Sequence, residues 1–65
     1  DYSELYEAIY RLPEEMRLSV ILYYLDGYSV REIAAMTEAT ESAVKNRLAR
    51  ARQRLRRELT GQAAQ

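Results

Sequence analysis

Only three breaks interrupt a chain otherwise written in helix-forming residues: Pro13, Gly27 and the stretch Thr37–Thr40. Proline is excluded from a helix interior, and glycine is the residue best able to take the left-handed conformation that ends a helix. A threonine supplies the side-chain oxygen that starts the next one. The breaks divide the chain into four segments of helical length, and the strand signal is weak. Val20–Leu25 has the content of a buried strand, but Pro13-Glu14-Glu15 before it and Leu25-Asp26-Gly27 after it read as a helix start and stop. The expectation is one all-α, four-helix domain over residues 1–65, with approximate helices at 3–11, 13–26, 30–36 and 41–59.

A domain of 65 residues hides only about 60% of the surface that its unfolded chain exposes, so its core must be dense. With neither Cys nor His, no disulfide forms and the common zinc-site patterns cannot be assembled. No metal and no cofactor is expected, and helix packing has to supply the stability. Leu5, Ala8, Ile9 and Leu12 form the inward stripe of the first helix, with Tyr2, Tyr6 and Tyr10 on a second stripe about 100° away. Those rings either wrap the core edge or form a partner surface.

The second helix is read with Pro13 at its first helical position, Glu14 and Glu15 at the positive end of its dipole, and Gly27 as its stop. Between them Met16, Leu18, Val20, Ile21, Leu22, Tyr23, Tyr24 and Leu25 cover nearly the whole circumference. So small a domain cannot cover such a helix on every side, so part of it is expected to meet a protein partner. Candidate partner-binding residues are Tyr6, Tyr10, Leu18, Leu22 and Tyr23. Ser29 and Glu32 spell a capping box for the short third helix, with Val30, Ile33, Ala34 and Met36 expected to face inward. Thr40 caps the fourth helix, whose narrow apolar stripe is Val44, Leu48, Ala51, Leu55 and Leu59.

A formal net charge of zero conceals a separation. Residues 1–41 hold nine acids against Arg11, Arg17 and Arg31, a net of −6. Residues 42–65 hold Glu58 against Lys45, Arg47, Arg50, Arg52, Arg54, Arg56 and Arg57, a net of +6. Solubility alone favours interspersed signs, so a one-signed final helix on an acidic body points to nucleic acid. A short helix, a turn of three or four residues and a longer basic helix is helix-turn-helix organisation. The last helix presents Ser42, Lys45, Asn46, Ala49, Arg50 and Gln53 opposite its apolar stripe. In a major groove, Asn and Gln pair with adenine and Lys or Arg with guanine. Arg47, Arg52, Arg54, Arg56 and Arg57 lie on the flanks and C-terminal end, placed for phosphates. The candidate DNA-binding set is therefore Ser42, Lys45, Asn46, Arg47, Ala49, Arg50, Gln53, Arg54 and Arg57.

Catalysis finds little support in the sequence: there is no His for base work, no Cys nucleophile and no Gly-rich phosphate loop. The pairs Glu14/Glu15 and Glu38/Glu41 sit at helix starts, where carboxylates serve dipole and cap. No run approaches the roughly 20 apolar residues that span a bilayer, and the acidic start lacks the basic beginning of a signal peptide. The expectation is a soluble cytoplasmic domain that contacts no membrane. Asp1 does not read as a natural start, so the chain is expected to be a piece of a longer protein.

The residues Leu12-Pro13-Glu14-Glu15, Val20 through Ser29, Glu32-Ile33-Ala34 and Ala43 through Arg52 resemble region 4 of the sigma-70 family, in the manner of its extracytoplasmic-function group. The resemblance covers about residues 5–59. It implies a domain that recognises the −35 element of double-stranded promoter DNA and recruits RNA polymerase core by docking on the flap of the β subunit. Base-reading positions then fall on Lys45, Asn46 and Ala49, and backbone contacts on Arg47, Arg50 and neighbouring basic residues. The first two helices would supply the polymerase-facing groove, a surface that anti-sigma factors of the family often cover. The chain departs from the family pattern at the turn, where Thr37-Glu38-Ala39-Thr40 replaces the usual Leu-Gly-Ile-Ser, and at Ala49, which is small. Two other readings share the plan: a response-regulator type of DNA-binding domain, and a sigma-like domain that only binds protein. The Leu-Pro-Glu start and the uninterrupted Arg-rich last helix favour sigma over the response regulator.

Overall fold

The computed structural model describes residues 1–61, and among them there are helices and no strand. The order is α1 (Ser3–Tyr10), α2 (Glu14–Val20) running on into a π-helical turn (Ile21–Leu25), α3 (Val30–Met36) and α4 (Glu41–Thr60). The expected all-α, four-helix architecture is the one found.

Each boundary has a local cause. Asp1 accepts hydrogen bonds from the Ser3 N–H (2.9 Å) and hydroxyl (2.6 Å), which supplies a partner at the start of α1. At its other end the Arg17 guanidinium donates to the Tyr10 carbonyl at 2.9 Å, satisfying one of the open acceptors there. Pro13 has φ −53° and ψ 150°, so it caps α2 instead of occupying the first helical position expected for it. The ring fixes φ, while the extended ψ lets the chain turn in from α1; the Arg17 N–H bonds back to the Pro13 carbonyl at 2.9 Å. The capping box of α3 is complete, with Glu32 N–H to Ser29 Oγ at 3.0 Å and Ser29 N–H to Glu32 Oε1 at 2.8 Å. Thr40 Oγ1 accepts from the Ala43 N–H at 3.0 Å to start α4, and Gly61 in the left-handed conformation stops it.

The second segment has the expected extent but a different winding. Its last turn bonds five residues back, Asp26 N–H to the Ile21 carbonyl at 3.0 Å. The chain then leaves through Gly27 at φ +81°, with the Tyr28 N–H reaching the Leu22 carbonyl at 2.9 Å. A wider turn of this kind resets which side chains face the neighbouring helix. Tyr23, Tyr24 and Leu25 end up exposed, while Ile21 and Leu22 pack at the core edge.

The core is Ile9 and Leu12 from the first segment, Val20 from α2, Ile33 and Ala34 from α3, and Val44, Leu48 and Ala51 from α4. Helix α4 packs on α1, α2 and α3 at once, so the longest helix is also the spine of the domain. Two expected core residues are corrected. Met36 is half exposed because α3 ends beside it, and Leu59 is exposed because it lies one turn past Leu55, the last residue of the α4 stripe that packs on the core. Ser19, by contrast, is buried beside Val20, on the face of α2 that also carries Met16 at helical spacing. No described helix is long and apolar enough to cross a membrane.

Candidate nucleic-acid interface

The turn between α3 and α4 sets the direction of the last helix. Thr37 donates its N–H to the Ile33 carbonyl at 2.9 Å, and its hydroxyl reaches the same oxygen at 2.7 Å. The Ala39 N–H then reaches back five residues to the Ala34 carbonyl at 2.9 Å, which requires a left-handed residue between them. That residue is Glu38, at φ +56°, the one non-glycine with positive φ among the described residues. A position that ordinarily wants glycine is thus held by a carboxylate-bearing side chain. Ala39 folds in against the core, so the turn closes with an apolar contact of the sort that accompanies this cap.

With Val44, Leu48 and Ala51 turned inward, the rest of α4 is displayed. Ser42, Lys45, Asn46, Ala49, Arg50, Gln53, Arg54 and Arg57 are all exposed. Between Ser42 and Arg57 no residue is acidic, so this surface carries one sign of charge from end to end. Asn46, Gln53 and Arg57 lie opposite the buried stripe, while residues seven apart share a side: Lys45 with Arg52 on one flank, Arg47 with Arg54 on the other.

The flanks are tied to the body in ways that the sequence did not disclose. Arg47 is half-buried, and its guanidinium lies 3.6 Å from the Glu15 carboxylate on α2. With Glu15 largely exposed, the pair is a weak surface contact that leaves Arg47 at the edge of the basic face. On the other side Arg52 donates to the Tyr24 hydroxyl at 3.0 Å. At the far end Arg11 pairs with Glu58 at 2.9 Å, holding the C-terminus of α4 to the end of α1. Charge signs could have suggested the two ion pairs but not the Arg52–Tyr24 bond, and which partners met could not be read without the fold.

The expected partner residues do not form one surface. An apolar groove of about 280 Å³ runs between α1, the π-helical turn and α4, lined by Leu5, Tyr6, Ile9, Val20, Tyr24, Leu25, Arg52 and Leu55. Of the five candidates only Tyr6 belongs to it. Tyr10 is exposed beyond its lining, Leu22 packs at the core edge, and Leu18 borders a separate pocket with Glu15, Met36 and Arg47. Tyr23 lies on the Lys45 side of α4.

A short capped helix, a tight left-handed turn and a long helix with an exposed basic face define a helix-turn-helix domain of the nucleic-acid-binding class. The model of the family described as "Sigma-70, region 4" matches residues 2–55, and the chain belongs to that family. It is 46% identical over 50 residues to the ECF RNA polymerase sigma factor SigM of Mycobacterium tuberculosis, covering 77% of this chain and 26% of that protein. It is 38% identical over 55 residues to the ECF RNA polymerase sigma-E factors of Escherichia coli and Salmonella typhimurium, covering 78% of this chain and 29% of theirs. The chain thus spans little more than a quarter of the length of these relatives.

Proposed function

We propose that this domain reads the −35 element of promoters as the C-terminal part of an extracytoplasmic-function sigma factor, and so recruits RNA polymerase in the cytoplasm. The observation that carries the reading is the acid-free exposed face of α4, set at a fixed angle by the left-handed turn at Glu38. Asn46 and Ala49 face the base edges, with Lys45 beside them; Arg50, Arg54 and Arg57 hold phosphates. The reading assigns no catalysis to the chain. Selection of duplexes from a randomised library tests it: one short sequence class should be enriched, and recovery of unselected sequence would refute base reading.

The polymerase contact belongs in the apolar groove. A helix of the β-subunit flap with an apolar face would bury Tyr6, Tyr24 and Leu25 there, and an anti-sigma factor would compete for the same lining. Leu25 is 51% exposed at the groove edge, so Leu25→Asp should abolish flap binding while DNA binding persists. Unchanged flap binding in the folded variant would remove the groove from the account.

A further inference from the structure

A second cleft, of about 250 Å³, opens on the other side of Tyr24 and is lined by Tyr23, Tyr24, Val30, Lys45, Leu48 and Arg52. Tyr24 and Arg52 border both this cleft and the apolar groove, whereas Tyr23 borders this one alone. The two tyrosine rings meet edge to face at 4.9 Å with an interplanar angle of 86°. Tyr24 is in turn anchored by the Arg52 hydrogen bond at 3.0 Å, so the Tyr23 ring rests on an already fixed neighbour. The cleft is lined by two cations and no acid, so its charge favours an anion. It also runs directly into the recognition face, because Lys45 and Arg52 are two turns apart on one flank of α4.

We propose that Tyr23 is a DNA-backbone contact, its hydroxyl donating to a phosphate oxygen of the strand that passes along the Lys45 and Arg52 side of the recognition helix. This rests on the reading of α4 as a DNA-recognition helix. A phenol is a good donor to phosphate, and the edge-to-face packing of the ring on Tyr24 limits the freedom lost when the bond forms. The π-helical turn acquires a role thereby. By rewinding the end of the second segment it sets Tyr23 beside α4 and Leu25 in the apolar groove, so one short turn serves both clefts.

Tyr23→Phe retains the ring packing and removes only the hydroxyl, so the variant should melt like the unsubstituted chain. Its affinity should fall about tenfold on library-enriched and scrambled duplexes alike, the scale of one hydrogen bond to a charged group. The dependence on salt should not change, because a neutral group releases no counterion. Arg54→Ala is titrated beside it as a cation on the opposite flank. If Arg54→Ala is weakened while Tyr23→Phe binds DNA normally, the backbone contact is wrong and the DNA reading stands. If Tyr23→Phe weakens flap binding and leaves DNA untouched, Tyr23 belongs to the protein surface and the inference falls. If neither variant alters DNA binding, the recognition-helix reading falls and the inference with it.

Discussion

Glu38 offers a clean test of how the helix-turn-helix angle is held. At φ +56° an L-residue with a side chain is strained by about 1–2 kcal/mol relative to right-handed backbone. Glycine at this position escapes that cost but adds freedom to the unfolded chain, which takes back about 0.4–1 kcal/mol. The Glu38 carboxylate is exposed and takes part in neither ion pair seen among the described residues, so little else is lost with it. The net expectation for Glu38→Gly is a gain of about 0.5–1 kcal/mol. In a domain of this size that raises the melting temperature by roughly 2–8 °C. Glu38→Ala separates strain from charge, since it removes the carboxylate and keeps the strained backbone. Thermal unfolding followed by circular dichroism should rank the glycine variant above both the alanine variant and the unsubstituted chain. A lower melting temperature for Glu38→Gly, or an equal rise for Glu38→Ala, would refute the strain argument.

Other expectations follow from the same contacts. Ser29→Ala removes the acceptor of the α3 capping box and should cost about 1 kcal/mol, read from urea midpoints at constant m-value. Arg11→Ala breaks an ion pair whose side chains are 59% and 34% exposed, so its cost should stay below about 1 kcal/mol and shrink with salt in the same assay. DNA binding should fall steeply with salt, and the phosphate contacts of Arg50, Arg54 and Arg57 alone give a slope of log K against log salt of about −3. A flat response in fluorescence anisotropy would contradict the electrostatic role of α4.

The fold was legible where one residue decides the local geometry. Gly27 and the Ser29/Glu32 box mark ends that depend on a single φ or a single side-chain oxygen, and both stand where the sequence puts them. The departure at the turn was legible in the same way, since a glutamate in a glycine's place either changes the turn or is strained, and here it is strained. The π-helical turn was not legible, because a shift of hydrogen bonding from four residues to five depends on how Leu22 and Tyr24 meet other elements. Met36 and Leu59 failed for a related reason: helical periodicity names a face, but only the neighbouring elements say how far along the helix that face is covered. In the candidate site, the exposed face of α4 was predictable from spacing and charge. The attachment of Arg47 to Glu15 and of Arg52 to Tyr24 was not, since those partners lie 32 and 28 residues away in the chain.

On the proposed function, α4 reads bases near its start and holds phosphates farther along. Asn46 lies opposite the buried stripe in the second turn of α4, whereas Arg54 and Arg57 lie two to three turns beyond it. The direct measurement is a competition titration of Asn46→Ala, Arg54→Ala and Arg57→Ala on library-enriched and scrambled duplexes at two salt concentrations. Asn46→Ala should lose about 1–3 kcal/mol on the enriched duplex and almost nothing on the scrambled one. The two arginine variants should weaken on both duplexes equally, with a shallower salt slope. Equal losses for Asn46→Ala on the two duplexes would contradict the account, because they would make this face a holder of backbone and not a reader of sequence.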